Sequence, residues 1–197
     1  MTDASGSDAV LHLASASPRR RDILDSLGIR YTWGAVGIDE SAAEGEAPDA
    51  LVRRLAREKA LAAESVLPVL AADTIVTLEG RIFGKPASQE EALAILAALS
   101  GRTHRVLTAV ALVAAGRLST TMSDTRVQFR EIDPDEARAY WQSGEPGGKA
   151  GAYAIQGRGG IFVQSVTGSY SGVVGLPVFE TAALLGRAGI DVLSRRA

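Results

Sequence analysis

The chain has 197 residues, 46% of them hydrophobic, and a formal net charge of -2. This length suits one domain, and the nearly balanced charge argues against a protein that coats nucleic acid through bulk positive charge. The absence of cysteine and the presence of only two histidines exclude disulfides, thiolate catalysis and a histidine-rich zinc site.

The start of the chain, residues 1–8, is small, polar and acidic. We predict a flexible leader over residues 1–10 and a single domain over residues 11–197. No apolar run approaches the roughly 20 residues of a membrane span. Together with the lack of cysteine, this pattern predicts a soluble, cytoplasmic protein that contacts neither membrane nor nucleic acid.

The first predicted unit is a short strand over residues 11–14, followed by a helix that Gly28 ends. Ser17 is a suitable N-cap and Pro18 a suitable first helical residue. The next turn holds Arg19, Arg20 and Arg21, although unpaired N–H groups favour acidic residues there. A serine-rich turn with a cationic helix start predicts a phosphate cradle, to which Ser15 also belongs.

The three arginines spread over about 200° of a helix at 100° per residue, so they cannot all face one ligand. Arg20 shares the apolar line of the helix and is expected to point inward. Arg19 lies at the tip beside the cap. Arg21 is expected at the surface.

A second helix is predicted over residues 49–60, with Lys59 on its apolar stripe. Lys59 either snorkels past the helix edge or points a charge into the fold. Glu40, in a loop segment before this helix, would by itself be read as a solvated side chain.

Residues 69–78 predict a strand, with a turn at Glu79 and a return over residues 81–83. Asp73 interrupts this apolar run. It marks a strand end or bulge open to water, or it binds a metal, a cation or a proton, because an unpaired buried carboxylate is costly. With a two-residue turn, Lys85 lies opposite Thr74; a one-residue bulge would place it on the face of Asp73.

The second half predicts a helix capped by Ser88 and Glu91 and closed by Gly101, two antiparallel strands, and a short helix beginning at Asp133. The strands span residues 105–114 and 121–130, and His104 before them is expected to be structural. A glycine-rich stretch over residues 147–175 indicates that the backbone approaches another group closely. A last helix over residues 178–185 completes a mixed α/β pattern.

The predicted elements bring several cations and one carboxylate together. The cations are Arg19 and Arg20 at a helix start, Lys59 on a helix stripe and Lys85 after a hairpin, and the carboxylate is Asp73 in a strand. This combination suits a triphosphate with a divalent metal. The motifs that carry this pattern resemble the Maf family of nucleoside triphosphate pyrophosphatases. They occur in consistent order at residues 14–21, 54–60, 72–76, 84–86, 99–101, 149–157 and 168–177. The resemblance covers about residues 11–190.

The resemblance implies an α/β fold related to the inosine-triphosphate pyrophosphatases: a mixed, twisted central sheet flanked by helices, with two lobes around a cleft. It also implies a homodimer and a divalent cation, Mg²⁺ or Mn²⁺. The implied reaction is hydrolysis between the α- and β-phosphates, giving a nucleoside monophosphate and pyrophosphate.

The resemblance also assigns residues. Asp73 matches the catalytic carboxylate and, with Glu40, a metal position. The positions linked to substrate choice are Arg19, Thr74 and Gln156. Arg20, Lys59 and Lys85 match phosphate-binding positions, and the cradle at the start of the first helix adds Ser15, Ser17 and Arg19 to the residues expected to bind phosphate.

The run Gly-Ala-Tyr-Ala-Ile-Gln-Gly at residues 151–157 resembles the subgroup that acts on dTTP and UTP. A glutamine amide offers one acceptor and two donors, which suits the N–H and carbonyl groups of a uracil or thymine edge. Many relatives carry Asp where this chain has Gly148, which puts a role for that carboxylate in doubt here. Two alternatives stay open: a nucleotide-binding regulator of cell division without turnover, and a pyrophosphatase for modified purine triphosphates.

Overall fold

A computed structural model of the chain describes residues 8–193, so most of the predicted leader lies outside the described residues. The described part forms one mixed sheet flanked by helices. The strands are β1 (Leu11–Ala14), β2 (Tyr31–Gly34), β3 (Val69–Leu78), β4 (Arg81–Phe83), β5 (Thr103–Ala114), β6 (Arg117–Phe129) and β7 (Val163–Thr167). The α-helices are α1 (Pro18–Ser26), α2 (Pro48–Ala62), α3 (Gln89–Leu99), α4 (Pro134–Gln142), α5 (Tyr170–Val174) and α6 (Val178–Arg187).

The strand order is β2-β1-β3-β5-β6-β7, with β4 paired to β3. Strand β1 runs parallel to β2 and β3, whereas the other pairs are antiparallel. This confirms the predicted mixed α/β architecture with helices around a central sheet. Strands β5 and β6 pair antiparallel as predicted, although both begin before their predicted first residues and β6 ends one residue earlier than predicted.

Helix α2 packs on one face of the sheet through small side chains. Ala56 and Ala60 of the helix share a buried cluster with Ala71 and Ala109 of the sheet. Small residues let the helix lie close to the strands, so a long side chain on the same helix face reaches into the sheet. Lys59 occupies such a position and is buried, which confirms the inward alternative.

A gap beside β3 positions the site. Strand β1 pairs with β3 only as far as Leu70, and β4 pairs with it only from Val76 onward. Between these points β3 pairs on one side only, with β5. Asp73 and Thr74 lie in this gap, so side chains of successive residues can both reach a ligand at the open edge.

Two local predictions hold only in part, since Ser17 is the N-cap residue of α1 and the β3–β4 turn has two residues. The Ser17 side chain makes no capping hydrogen bond, and the Ser17 amide itself donates to the Ser15 hydroxyl. The β3–β4 ladder contains no bulge and ends at Phe83, so Lys85 is not paired opposite Thr74 or carried onto the face of Asp73. After the ladder ends, the Gly84 carbonyl accepts from the amide of Gly151.

The N-terminal caps of α3 and α4 agree better with the predictions from the sequence. The Ser88 hydroxyl accepts from the Glu91 amide as predicted, but the Glu91 carboxylate accepts from Ala87 rather than completing the box. Asp133 and Glu136 form a full capping box at the start of α4. Within residues 8–193, no helix has the length and apolar character needed to cross a membrane.

Candidate active site

One cavity of about 500 Å³ opens at the gap beside β3. Every site residue predicted from the sequence lines it: Ser15, Ser17, Arg19, Arg20, Glu40, Lys59, Asp73, Thr74, Lys85 and Gln156. The cavity also borders the apolar core through Val76, Val106 and Val174. Distant segments of the chain therefore meet at one concave, largely cationic surface.

A buried ammonium group joins two carboxylates on one side of the cavity. Lys59 Nζ lies 2.6 Å from Asp73 Oδ1 and 2.5 Å from Glu40 Oε1. Lys59 and Asp73 are 8% and 7% exposed, so this pair is shielded from water. The hydrogen bond from Lys59 lowers the pKa of Glu40 despite the opposing effect of burial, which keeps this carboxyl ionised at neutral pH.

Lys85 reaches the same cluster from the end of the hairpin. Its Nζ lies 3.5 Å from Glu40 Oε2, and its side chain is largely exposed. Glu40 thus links a buried lysine to an exposed one. Screening by water makes the outer contact weak, so Lys85 can exchange it for an anionic ligand at little cost.

The two carboxylates meet the chemical requirements of a hard cation. Among residues 8–193 no group of three or more histidine, cysteine or acidic side chains could hold a metal ion. Mg²⁺, however, is commonly held by one or two carboxylates together with water and substrate phosphate oxygens. One oxygen of Asp73 and one of Glu40 already contact the same cationic group, Lys59 Nζ. The two carboxylates therefore lie close enough together to contact one cation.

Arg20 crosses from α1 to three other segments. It donates from Nε to the Gly175 carbonyl at 2.8 Å, from Nη1 to Ser15 Oγ at 3.0 Å and from Nη2 to Thr74 Oγ1 at 3.4 Å. A guanidinium has five N–H donors, so two remain after these contacts. Burial lowers the pKa of Arg20, and the negative charge of Asp73 partly opposes that effect.

The neighbouring arginines differ in direction, as their helical spacing predicts. Arg19 donates from Nε to the Val174 carbonyl at 3.3 Å and lines the cavity. The Arg21 guanidinium instead stacks 3.9 Å over the ring of Trp33, which is 42% exposed. Arg21 therefore contributes to the surface rather than to the cavity.

Thr74 belongs to a chain of hydroxyl groups beneath the cavity. Its Oγ1 lies 3.0 Å from Thr108 Oγ1, which donates to the Gly172 carbonyl at 2.7 Å. Gly175 closes the other side in the left-handed region at φ +129°, and an added Cβ would lie 3.6 Å from Thr74 Oγ1. These contacts fix the Thr74 hydroxyl against the Gly172–Gly175 segment.

The opposite wall holds residues that sequence reasoning missed. Lys149 and Tyr153 both line the cavity, and burial together with nearby Arg19 lowers the pKa of Lys149. Both residues belong to the motif at residues 149–157, which also contains Gln156. A cation and an aromatic residue in the same motif as Gln156 were the features of the sequence that could have identified them. Gly148 lines the same wall with φ +68°.

His104 has the structural position expected from its sequence context. It is fully buried, and its Nε2 lies 2.9 Å from the Tyr153 hydroxyl. Burial lowers the pKa of His104 to about 4 and raises that of Tyr153. His104 therefore supports the wall of the cavity from behind as a neutral side chain at physiological pH.

Comparison with known proteins gives close relatives. The dTTP/UTP pyrophosphatase of Myxococcus xanthus is 56% identical over 187 residues, covering 93% of this chain and 94% of the relative. Those of Bordetella pertussis and Alkalilimnicola ehrlichii are 52% and 49% identical, each covering 92% of this chain and 94% of the relative. A family model described as Maf-like protein matches residues 10–188. The chain belongs to the Maf family.

Proposed function

We propose that this protein hydrolyses dTTP and UTP to the nucleoside monophosphate and pyrophosphate with the help of a divalent cation. The observation that carries the proposal is the cluster at the open edge of β3 in which buried Lys59 joins buried Asp73 to Glu40. Relatives at about half identity are named dTTP/UTP pyrophosphatases, which supports the same substrates here. Five cationic side chains against two carboxylates in the cavity suit a polyanionic ligand.

The cations divide into an inner and an outer group. We propose that Arg20 binds a phosphate oxygen with its two remaining donors, while Ser15 and Thr74 hold the guanidinium in place. Arg19 and Lys85 bind the outer phosphates, and Ser17 adds a hydroxyl at the uncapped start of α1. These groups stabilise the negative charge that develops on the leaving pyrophosphate.

Glu40 and Asp73 are the residues that would hold the cation, together with substrate phosphate oxygens. A bound Mg²⁺ or Mn²⁺ would neutralise phosphate charge and polarise the phosphorus toward attack. Lys59 contacts both carboxylates and holds them in place before the nucleotide arrives. The alternative role of Asp73 is to orient or deprotonate the attacking water, in which case Glu40 and the substrate phosphates hold the cation without it.

Gln156 reads the base in this proposal. Its side chain is exposed at the cavity wall, where an amide can accept from the base N3–H and donate to an adjacent carbonyl. The thymine methyl contributes only about 1–3 kcal/mol in a pocket, so dTTP and UTP are both accepted. Arg19 and Thr74 shape the remainder of the substrate pocket.

A hydrolysis screen tests this function. Purified protein is incubated with Mg²⁺ or Mn²⁺ and each of the common and modified triphosphates, and products are separated by anion exchange. We expect dTTP and UTP to yield the monophosphate and pyrophosphate. Release of orthophosphate and a diphosphate, exclusive action on purine triphosphates, or no hydrolysis of any substrate would contradict the proposal.

Three further proposals concern the domain organisation, the oligomeric state and the location of the protein. We propose that residues 11–197 act as one domain, for which the continuous sheet from β2 to β7 is the support. We propose a homodimer on the basis of family membership, to be tested by light scattering. We propose a cytoplasmic location, supported by the absence of cysteine from the sequence.

A further inference from the structure

The glycine-rich stretch after α4 has a specific close neighbour. The side chains of Tyr140, near the end of α4, and Glu145, in the turn that follows it, extend into the loop that carries Gln156. A Cβ added at Gly157 would overlap the Glu145 carboxylate, and one added at Gly159 would lie 2.5 Å from the Tyr140 hydroxyl. Glycine at these positions therefore admits two polar side chains against the backbone.

Glu145 and Tyr140 make four hydrogen bonds around this loop, one of them to each other. Glu145 Oε1 accepts from the Tyr140 hydroxyl at 2.7 Å and from the Gly159 amide at 2.9 Å, while Oε2 accepts from the Arg158 amide at 2.9 Å. The Tyr140 oxygen accepts from the Ala154 amide at 3.1 Å. A turn closes inside this frame, with the Gly157 amide donating to the Ala154 carbonyl at 3.1 Å.

Gln156 lies inside that turn, between the anchored residues Ala154 and Arg158. Gln156 lines the cavity, but neither Tyr140 nor Glu145 does. Tyr140 is 5% exposed, and its ring packs edge-on against Phe162 with centroids 5.2 Å apart. The anchor is thus rigid and set behind the residue that faces the ligand.

The charge state of the anchor suits this role. Burial raises the pKa of Glu145, but hydrogen bonds from Tyr140 and from the Gly159 and Arg158 amides outweigh it and leave the pKa lowered. Burial and the bond to Glu145 raise the pKa of Tyr140. An ionised acceptor and a neutral donor therefore persist across the neutral range, and charge-assisted bonds to amides are among the stronger ones.

We propose that Tyr140 and Glu145 are positioning residues that fix the turn carrying Gln156 and thereby make the cavity select uracil and thymine over cytosine. This inference rests on the proposed function, because it assigns a support to the residue that reads the base. A glutamine amide pairs with a uracil edge in one orientation and with a cytosine edge after rotation by half a turn. A turn that holds the Gln156 backbone in place restricts the direction from which its amide can approach the base edge, and a loose turn would remove this restriction.

Three variants test the support. Tyr140→Phe removes only the hydroxyl and keeps the packing on Phe162. Glu145→Ala removes all three accepted bonds, and Glu145→Gln restores one acceptor oxygen. Glu136→Gln is the matched control, since Glu136 also binds a backbone amide at an end of α4 but lies outside the cavity lining.

Two readouts are measured on the full chain. The first is hydrogen exchange of the amides of Ala154, Arg158 and Gly159. The second is the ratio of kcat/KM for dTTP to that for dCTP. We expect Glu145→Ala to speed exchange and to lower the ratio about tenfold, mainly through KM for dTTP. Tyr140→Phe should act in the same direction, Glu145→Gln should recover part of the ratio, and Glu136→Gln should leave both readouts unchanged.

The outcomes separate the two proposals. Unchanged exchange in Glu145→Ala, or faster exchange with an unchanged dTTP to dCTP ratio, would overturn the positioning role. The proposed function would survive either result if wild type still hydrolyses dTTP and UTP. A wild type that hydrolyses no triphosphate would overturn the function itself, whatever the exchange data show for the loop.

Discussion

The ammonium of Lys59 lies 2.6 Å from Asp73 Oδ1, deep in the gap between the end of β1 and the start of β4. The same ammonium lies 2.5 Å from Glu40 Oε1. One lysine therefore holds together a carboxylate from the sheet and one from a distant loop. The cluster keeps one excess negative charge, which a divalent cation and a nucleotide phosphate would complement.

Replacing Lys59 with methionine is expected to destabilise the fold. The change leaves Asp73 buried without its cation, and breaking one side of a buried pair typically costs about 3–5 kcal/mol. Adding Asp73→Asn removes the orphaned charge, so the double variant should be more stable than Lys59→Met alone. Urea unfolding of the two single variants and the double variant measures this coupling, and strictly additive losses would show that the pair does not interact.

Replacing Gln156 with leucine is expected to impair dTTP and UTP selectively. Losing hydrogen bonds to the base costs about 1–3 kcal/mol, which corresponds to a fall in kcat/KM of roughly 5- to 150-fold. Steady-state kinetics with dTTP, UTP and dATP measure the effect. Gln142→Leu, at the exposed end of α4, is the control. Equal losses on pyrimidine and purine substrates would exclude a base-reading role for Gln156.

Replacing Arg20 with lysine is expected to weaken substrate binding. Lysine cannot reproduce three separate contacts to Gly175, Ser15 and Thr74 while also binding phosphate. We expect KM for dTTP to rise about tenfold. Arg21→Lys is the matched control because that neighbouring side chain stacks on Trp33. The same KM for both variants would contradict the assignment of Arg20 to the phosphates.

Stability is expected to fall in mild acid because of His104. Burial lowers its pKa to about 4, whereas the unfolded side chain titrates near 6.5. Between these values the unfolded state binds more protons, so stability decreases as the pH falls from 6.5 toward 4, by roughly 3 kcal/mol in total. Thermal unfolding across this range should show a steeper pH dependence for wild type than for His104→Gln. His12→Gln should keep most of the wild-type slope, and equal slopes for wild type and His104→Gln would refute the role of His104.

The sequence predictions were most successful where a charged residue stands at a position that the hydrophobic pattern places inside the fold. Lys59 on an apolar stripe and Asp73 in an apolar strand were recognisable because burying either charge alone is costly. The structure brings them together. Glu40 had no such signal, since a carboxylate in a loop is ordinarily solvated, and only the fold reveals its contact with Lys59.

Predictions that depended on competing local hydrogen bonds were less successful. Ser17 has a suitable residue type and stands at the N-cap position of α1, but its hydroxyl accepts no hydrogen bond from the helix. The β3–β4 ladder ends at Phe83, and the next carbonyl, that of Gly84, accepts a hydrogen bond from the amide of Gly151, a residue far along the chain. The glycines near Gln156 correctly indicated a close approach, but composition could not identify Glu145 as the neighbour.

The most direct test compares Asp73→Asn with Asp124→Asn, which changes an exposed carboxylate paired with Arg105 on the same sheet. Pyrophosphate release from dTTP and UTP is measured with Mg²⁺, alongside nucleotide binding and thermal unfolding. Asp73→Asn should remain folded and lose about 100- to 10,000-fold in kcat, while Asp124→Asn keeps wild-type activity. Equal nucleotide binding by wild type and Asp73→Asn, with no turnover by either, would contradict the enzyme and favour a nucleotide-binding regulator.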